Sequence, residues 1–381
     1  MATSPETKKN IRLSRSIIGK AEADAVTRVM LDDGYLGMGK EVQAFERELA
    51  EYLGVSPESV CCVNTGTSAL HLAVQSILNP GDEVLVQSLT FVASFQAISG
   101  AGAKPVACEV LAESVMIDLA DAQKKLTSKT KAIMPVHYAG YAGDLDAVYD
   151  FAKRNGLRVI EDAAHAFGGD HKGKKVGSFG DIACFSFDGI KNITSGEGGA
   201  IVSSDQSVIA AAKDCRLLGV EKDTENRFKG ARSWEFDVKR QGYRYHMSNI
   251  FAAIGRTQLK RLDSEFSPAR KKQAATYRET LGKIPGLRFF ETNLKSVVPH
   301  IMPVLVLDGK RDALREHLTN WNIESGIHYK PNHLLSLYGG GMESLPVTEQ
   351  LYGELLTLPM HPGLGAADIT AVCDSVKQFF A

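Results

Sequence analysis

Between residues 59 and 203 the chain repeats one pattern, a short apolar run followed by a stretch of helical periodicity. The apolar runs are 59–63 (SVCCV), 82–87 (DEVLVQ), 105–110 (PVACEV), 131–136 (KAIMPV), 157–161 (LRVIE), 182–187 (IACFSF) and 199–203 (GAIVS). Helical stretches at 67–78, 91–100, 118–126 and 144–155 separate most of them. Short strands that are apolar throughout are covered on both faces, and strand–helix alternation sets parallel strands side by side. The fold class is therefore α/β, with a mainly parallel seven-stranded sheet forming one large doubly wound layer.

Two helices precede the sheet, at 19–32 and 40–53, separated by the breaker GYLGMG and stopped at Gly54. After residue 205 the alternation fails. Helices are expected at 205–217 and 247–280, the second bent near Pro268, then a strand at 296–307 and helices at 310–322 and 366–380. This reading divides the chain into a disordered tail (1–10), a large α/β domain (11–261) and a smaller C-terminal α+β domain (262–381).

Lys plus Arg total 44 and Asp plus Glu total 45, a balance that argues against a nucleic-acid binder. The basic and aromatic stretch 227–245 (Arg227, Lys229, Arg232, Trp234, Lys239, Arg240, Arg244) is interrupted by Glu235 and Asp237, and reads as a solvated loop or a diphosphate contact. No run approaches the length of a membrane span and the polar start MATSPETKKN has no apolar core, so no membrane partner is expected and the cytoplasm is the expected location. The six cysteines include no C-x-x-C pair and read as reduced core residues. The histidines suggest no metal site: His328 and His333 stand five apart without a helical H-E-x-x-H pattern.

In an open α/β sheet, ligands bind beyond the carboxyl ends of the strands. After 59–63 comes Asn64-Thr65-Gly66-Thr67-Ser68 at a helix start, which is either an anion cup or an ordinary N-cap. After 157–161 come Asp162 and His165, able to face one ligand or to serve as satisfied structural groups. After 182–187 a single lysine, Lys191, stands among glycines and hydroxyls, where a solvated loop lysine is the plain alternative. Together they supply an anion site, a carboxylate and an amine on neighbouring strand ends. Those are the needs of pyridoxal 5′-phosphate: a phosphate cup, an acid for the ring nitrogen and a Schiff-base lysine. Phe91 offers a flat face for stacking, or is a core residue at a helix start.

The motifs GYLGMGKEVQAFE, NTGTSALHLA, GDEVLVQSLTFVAS, MPVHYAG, EDAAHAFGG, GSFGDIACFSF, KNITSGEGGA, RYHMSNIFAAIG, HYKPNH and LPVTEQLYGELLTLPMHP run in order across about residues 12–380. In this the chain resembles the DegT/StrS-type sugar aminotransferases of the fold type I, pyridoxal-phosphate-dependent class. The resemblance implies that Lys191 is the Schiff-base lysine, Asp162 the ring-nitrogen partner and His165 a neighbour of the ring hydroxyl. It implies that Phe91 stacks on the ring and that Gly66, Thr67, Ser68 and Ser186 hold the phosphate. Tyr329 and His333, in HYKPNH, fall where such enzymes meet the sugar.

Two positions depart from the family pattern. Arg244 follows Gly242-Tyr243 where an asparagine usually reaches the phosphate of the neighbouring subunit's cofactor, so Arg244 takes over that contact or faces a nucleotide diphosphate. Asp188 stands where many relatives carry histidine. The resemblance further implies a homodimer with shared active sites, L-glutamate as amino donor, a nucleotide-linked keto sugar as acceptor and pyridoxamine 5′-phosphate as the intermediate cofactor form. The product would be an amino sugar for surface polysaccharide, glycan or secondary-metabolite synthesis. Two alternatives are a sugar dehydratase, which resembles this sequence but with histidine for the lysine, and a non-catalytic cofactor-binding regulator.

Overall fold

The computed structural model describes residues 10–230, 236–340 and 343–381. Most of the expected tail, together with Arg232, Trp234 and Glu235, lies outside the described residues. Nine strands occupy the first half: β1 (Val60–Val63), β2 (Glu83–Gln87), β3 (Lys104–Cys108), β4 (Thr130–Met134), β5 (Arg158–Asp162), the hairpin β6 (Asp170–His171) and β7 (Lys174–Lys175), β8 (Ile182–Ser186) and β9 (Gly199–Ser203). All but the hairpin form one sheet in the order β1-β9-β8-β5-β4-β2-β3. Only β9 runs antiparallel to its neighbours, so six parallel strands present their carboxyl ends at one edge.

The two-residue period of the strands explains the unbroken apolar runs. In β1, Cys61 and Val63 pack with Leu70, Ala73 and Val74 of the helix Gly66–Ile77 on one face. Val60 and Cys62 pack with Phe45 and Leu49 of the helix Lys40–Leu53 on the other. All six cysteines are buried as free thiols.

The C-terminal part is built on a second sheet, β10 (Leu287–Arg288), β11 (Met302–Val306) and β12 (Leu355–Leu358), antiparallel throughout. The strand expected over 296–307 is shorter than its apolar run. Residues ahead of Met302 instead make loop contacts, His300 N–H to the Ala139 carbonyl and the Val298 carbonyl to Asn192. The long helix expected over 247–280 is two helices, Asn249–Arg261 and Ser267–Leu281, joined by a π-helical turn at Leu262–Phe266. The distortion lies before Pro268, which sits at the start of the second helix where its missing N–H costs nothing. The helix Pro346–Glu354 and strand β12 have no counterpart in the sequence reading.

The first described residues form a strap. Ile11 N–H donates to Asn322 O and Glu324 N–H donates back to Ile11 O, while the Ile11 side chain is buried in the core beneath β11 and β12. Its packing thus joins it to the C-terminal core rather than to the large sheet. Met360 N–H donates to Leu13 O, Ser16 Oγ–H donates to Gly189 O, and Gln258 Nε2–H donates to Ile17 O.

Candidate active site

The carboxyl ends of β1, β2, β5 and β8 open onto one cavity of about 370 Å³. Its wall includes Gly66, Thr67, Phe91, Asp162, His165, Ser186 and Lys191, and Tyr329 from the C-terminal part. Apart from Tyr329, these residues, far apart in sequence, meet here because each lies at or beyond the carboxyl end of a parallel strand, the arrangement that makes this edge a binding edge.

The anion cup is the first turn of the helix Gly66–Ile77. Thr65 is its N-cap: the hydroxyl accepts the Ser68 N–H at 3.0 Å and lies 2.8 Å from Ser68 Oγ. Ser68 Oγ–H in turn donates to Asn64 Oδ1 at 2.8 Å. Ser68 is buried within the cap and is not among the residues of the cavity wall. The N–H groups of a first turn have no intrahelical partner and point at whatever fills the cup. A Cβ on Gly66 would stand 2.6 Å from Ser186 Cβ, so glycine is what keeps the two strand ends close with the cup open.

Asp162 ends β5 and is 4% exposed. Its Oδ2 accepts the Ser94 hydroxyl at 2.7 Å and its Oδ1 accepts the Ala164 N–H at 3.2 Å. Burial raises its pKa, and these two hydrogen bonds and the charge of Lys191 pull against that rise. Lys191 stands opposite in charge. Burial lowers its pKa to about 8, with Asp188 and Asp162 opposing the shift. The loop that carries it is tied down on either side: Lys191 N–H donates to Asp188 O, and Asn192 Nδ2 donates to Phe167 O at 3.0 Å and Val298 O at 3.2 Å.

His165 Nε2 lies 3.1 Å from the Tyr329 hydroxyl, and its ring packs on His300 with centroids 4.3 Å apart. Burial, then the nearby Lys191 charge, holds His165 well below the usual imidazole range, so it is neutral. Its Nδ1 is buried without a hydrogen-bond partner. Phe91 is 53% exposed and meets Tyr329 at 5.3 Å between ring centroids, an uncovered aromatic face at the cavity.

Besides Ser68, two expected residues do not join the wall. His333 is buried with both ring nitrogens engaged, Nδ1 with Ser88 Oγ at 2.7 Å and Nε2 with Glu349 Oε1 at 3.2 Å. That pairing holds the chain locally, and His333 is not among the residues of the cavity wall. Arg244 is exposed and off the cavity of its own chain, and its carbonyl accepts the Asn64 amide.

Conversely, Tyr138, Glu197 and His328 line the cavity without having been expected there, and Asp188, noted above as a departure from the family pattern, lines it too. His328 bonds Thr357 Oγ1 through Nδ1 at 2.8 Å and accepts the Tyr138 hydroxyl on its carbonyl. Burial and then Lys191 push its pKa down to about 4. Its adjacency to Tyr329 in HYKPNH was the available signal.

The residue set fits pyridoxal 5′-phosphate: an amine, a buried carboxylate, an exposed aromatic face, an orphaned imidazole nitrogen and a cup that only glycine leaves open. The model of the DegT/DnrJ/EryC1/StrS aminotransferase family matches residues 16–377. The dTDP-4-dehydro-2,3,6-trideoxy-D-glucose 4-aminotransferase of Saccharopolyspora spinosa is 33% identical over 375 residues, covering 97% of this chain and 96% of that protein. The GDP-perosamine synthase of Vibrio cholerae is 36% identical over 358 residues, covering 92% and 94%. Spr1654 of Streptococcus pneumoniae, solved in a PLP form and a PMP form, is 26% identical with TM-scores of 0.89 and 0.90. Each of those comparisons covers 97% of this chain, and 98% and 97% of the respective Spr1654 chains.

Proposed function

The chain belongs to the DegT/DnrJ/EryC1/StrS aminotransferase family, and from that premise we propose that it moves the amino group of L-glutamate to a keto-sugar nucleotide of the 3- or 4-keto-6-deoxy type. The enzyme is a pyridoxal-phosphate-dependent aminotransferase of sugar nucleotides with a fold type I architecture. The convergence of Lys191, Asp162 and the Gly66–Thr67 turn on a single cavity carries the cofactor reading, and the similarity to a dTDP-4-dehydro-2,3,6-trideoxy-D-glucose 4-aminotransferase and to GDP-perosamine synthases supports the sugar-nucleotide reading.

When bound, the cofactor supplies an electron sink that makes a proton on the amino-bearing carbon removable. The first-turn N–H groups at Gly66 and Thr67, with the Ser186 hydroxyl, hold its phosphate. Phe91 lies along the ring and excludes water from that side. Asp162, fixed by Ser94 and Ala164, keeps the proton on the ring nitrogen. Neutral His165, oriented by Tyr329, meets the ring hydroxyl as a hydrogen-bond partner. Lys191 Nζ is the amine that would tether the cofactor and, when free, would act as general base and then general acid for the proton of the donor's Cα. A pKa near 8 suits both duties near neutral pH.

In this reading residues 11–261 form the cofactor lobe and 262–381 the lobe that closes over it. Two chains form a homodimer in which Arg244 reaches the neighbour's site, and the reaction takes place in the cytoplasm. Incubation with L-glutamate and a panel of 3-keto and 4-keto sugar nucleotides tests the substrate assignment: an amino sugar is expected from at least one, and transfer to none removes it. Lys191→Ala is expected to lose the visible band of the tethered cofactor and all turnover. Full turnover in that variant would remove the assignment of the lysine.

A further inference from the structure

Asp188 and Glu197 share the cavity wall with Lys191. Asp188 follows β8, and among the described residues its Oδ1 accepts only the Ile190 N–H, at 3.2 Å. Glu197 is exposed at the mouth, and its carboxylate has no hydrogen-bond or ion-pair partner among the described residues. The other ionisable groups of the wall are accounted for. Lys191 and Asp162 are committed to the cofactor in the reading above, and His165 and His328 are neutral. Burial raises Tyr138 and Tyr329, so both stay neutral, and once the cofactor is in place the charged groups left in the wall of this chain are two carboxylates, of which one has no partner among the described residues.

Carboxylates accept hydrogen bonds and donate none, so they match hydroxyl and amino groups and oppose another carboxylate. We propose that Asp188 and Glu197 are specificity-determining residues that admit keto sugars bearing hydroxyl or amino substituents and reject those bearing a ring carboxylate. This rests on the sugar-nucleotide reading given above. For a carboxylate about 6 Å from one of the pair, in a medium of effective dielectric about 20, the discrimination is about a hundredfold. L-glutamate meets the same two groups in the other half-reaction, so removing their charge lowers its KM.

The test compares kcat/KM of the holoenzyme for a neutral 4-keto-6-deoxy sugar nucleotide and for the matching keto-uronate nucleotide, in wild type, Asp188→Asn and Glu197→Gln. The wild type is expected to prefer the neutral sugar by about a hundredfold or more, and loss of the carboxylate nearer the ring substituent to narrow that ratio by up to about a hundredfold, with each variant lowering the KM for glutamate. Cofactor retention is read from the visible absorption band. If Asp188→Asn loses the cofactor, Glu197→Gln at the exposed mouth carries the test alone. A wild-type ratio near one, or a ratio unmoved in cofactor-loaded variants, overturns the proposal. Transfer to neither sugar in the wild type overturns the sugar reading itself, and the proposal with it.

Discussion

The lowered pKa of Lys191 should be visible directly in the rate at which the apoprotein captures its cofactor. Only the neutral amine attacks an aldehyde, so capture tracks the neutral fraction of Lys191. An ordinary lysine is neutral about once in three thousand at pH 7, whereas one that titrates near 8 is neutral about once in eleven. The advantage is therefore about 300-fold at pH 7 and shrinks to about fourfold at pH 10. Stopped-flow absorbance of apoprotein mixed with excess pyridoxal phosphate, divided at each pH by the rate with Nα-acetyl-lysine, cancels the ionisation of the aldehyde itself. The ratio should be flat below pH 7 and fall steeply between pH 8 and 10. Asp188→Asn should move the break downward, because the Asp188 charge favours the ammonium form. A ratio constant from pH 6 to 10, or a break that moves upward in Asp188→Asn, would show that burial does not govern this amine.

Two further substitutions address the cup and the buried acid. Gly66→Ala places a methyl 2.6 Å from Ser186 Cβ, and overpacking of this kind costs about 1–3 kcal/mol. Cofactor affinity by fluorescence titration should fall by about tenfold or more, and unchanged affinity would mean that the cup is not where the phosphate sits. Asp162→Asn removes the charge while keeping the Ser94 and Ala164 contacts close to their present shape, so kcat should fall by about 10²–10³-fold with cofactor still bound. Wild-type kcat in that variant would take Asp162 out of the chemistry.

The large sheet was legible because its strands are buried on both faces, which leaves an apolar run with no ambiguity of period. The same rule misled at 296–307, where apolar Val297, Val298 and Ile301 are buried by loop packing around Asn192 and Ala139 rather than by a ladder. Strand β12 was missed because Leu355–Leu358 continues directly from the helix Pro346–Glu354 with no turn residue between them. At the site, residues at or shortly beyond the carboxyl end of a parallel strand could be placed by topology: Gly66, Asp162, Ser186 and Lys191. His328 could not, because what brings it to the cavity is the packing of the C-terminal part. Ser68 and His333 show the opposite limit. Their residue types suit a ligand, but local partners, Asn64 and Thr65 for one and Ser88 and Glu349 for the other, claim their polar atoms first.

The strap of residues 11–17 makes the position of the reactive amine a matter of mechanics as well as electrostatics. One end is stitched into the C-terminal core at Asn322 and Glu324, and the other grips the Gly189 carbonyl, two residues before Lys191. A rotation of the C-terminal part as substrate enters would be handed on to the lysine loop along this tether. The C-terminal core and the loop that carries Lys191 are thus the two ends of one lever.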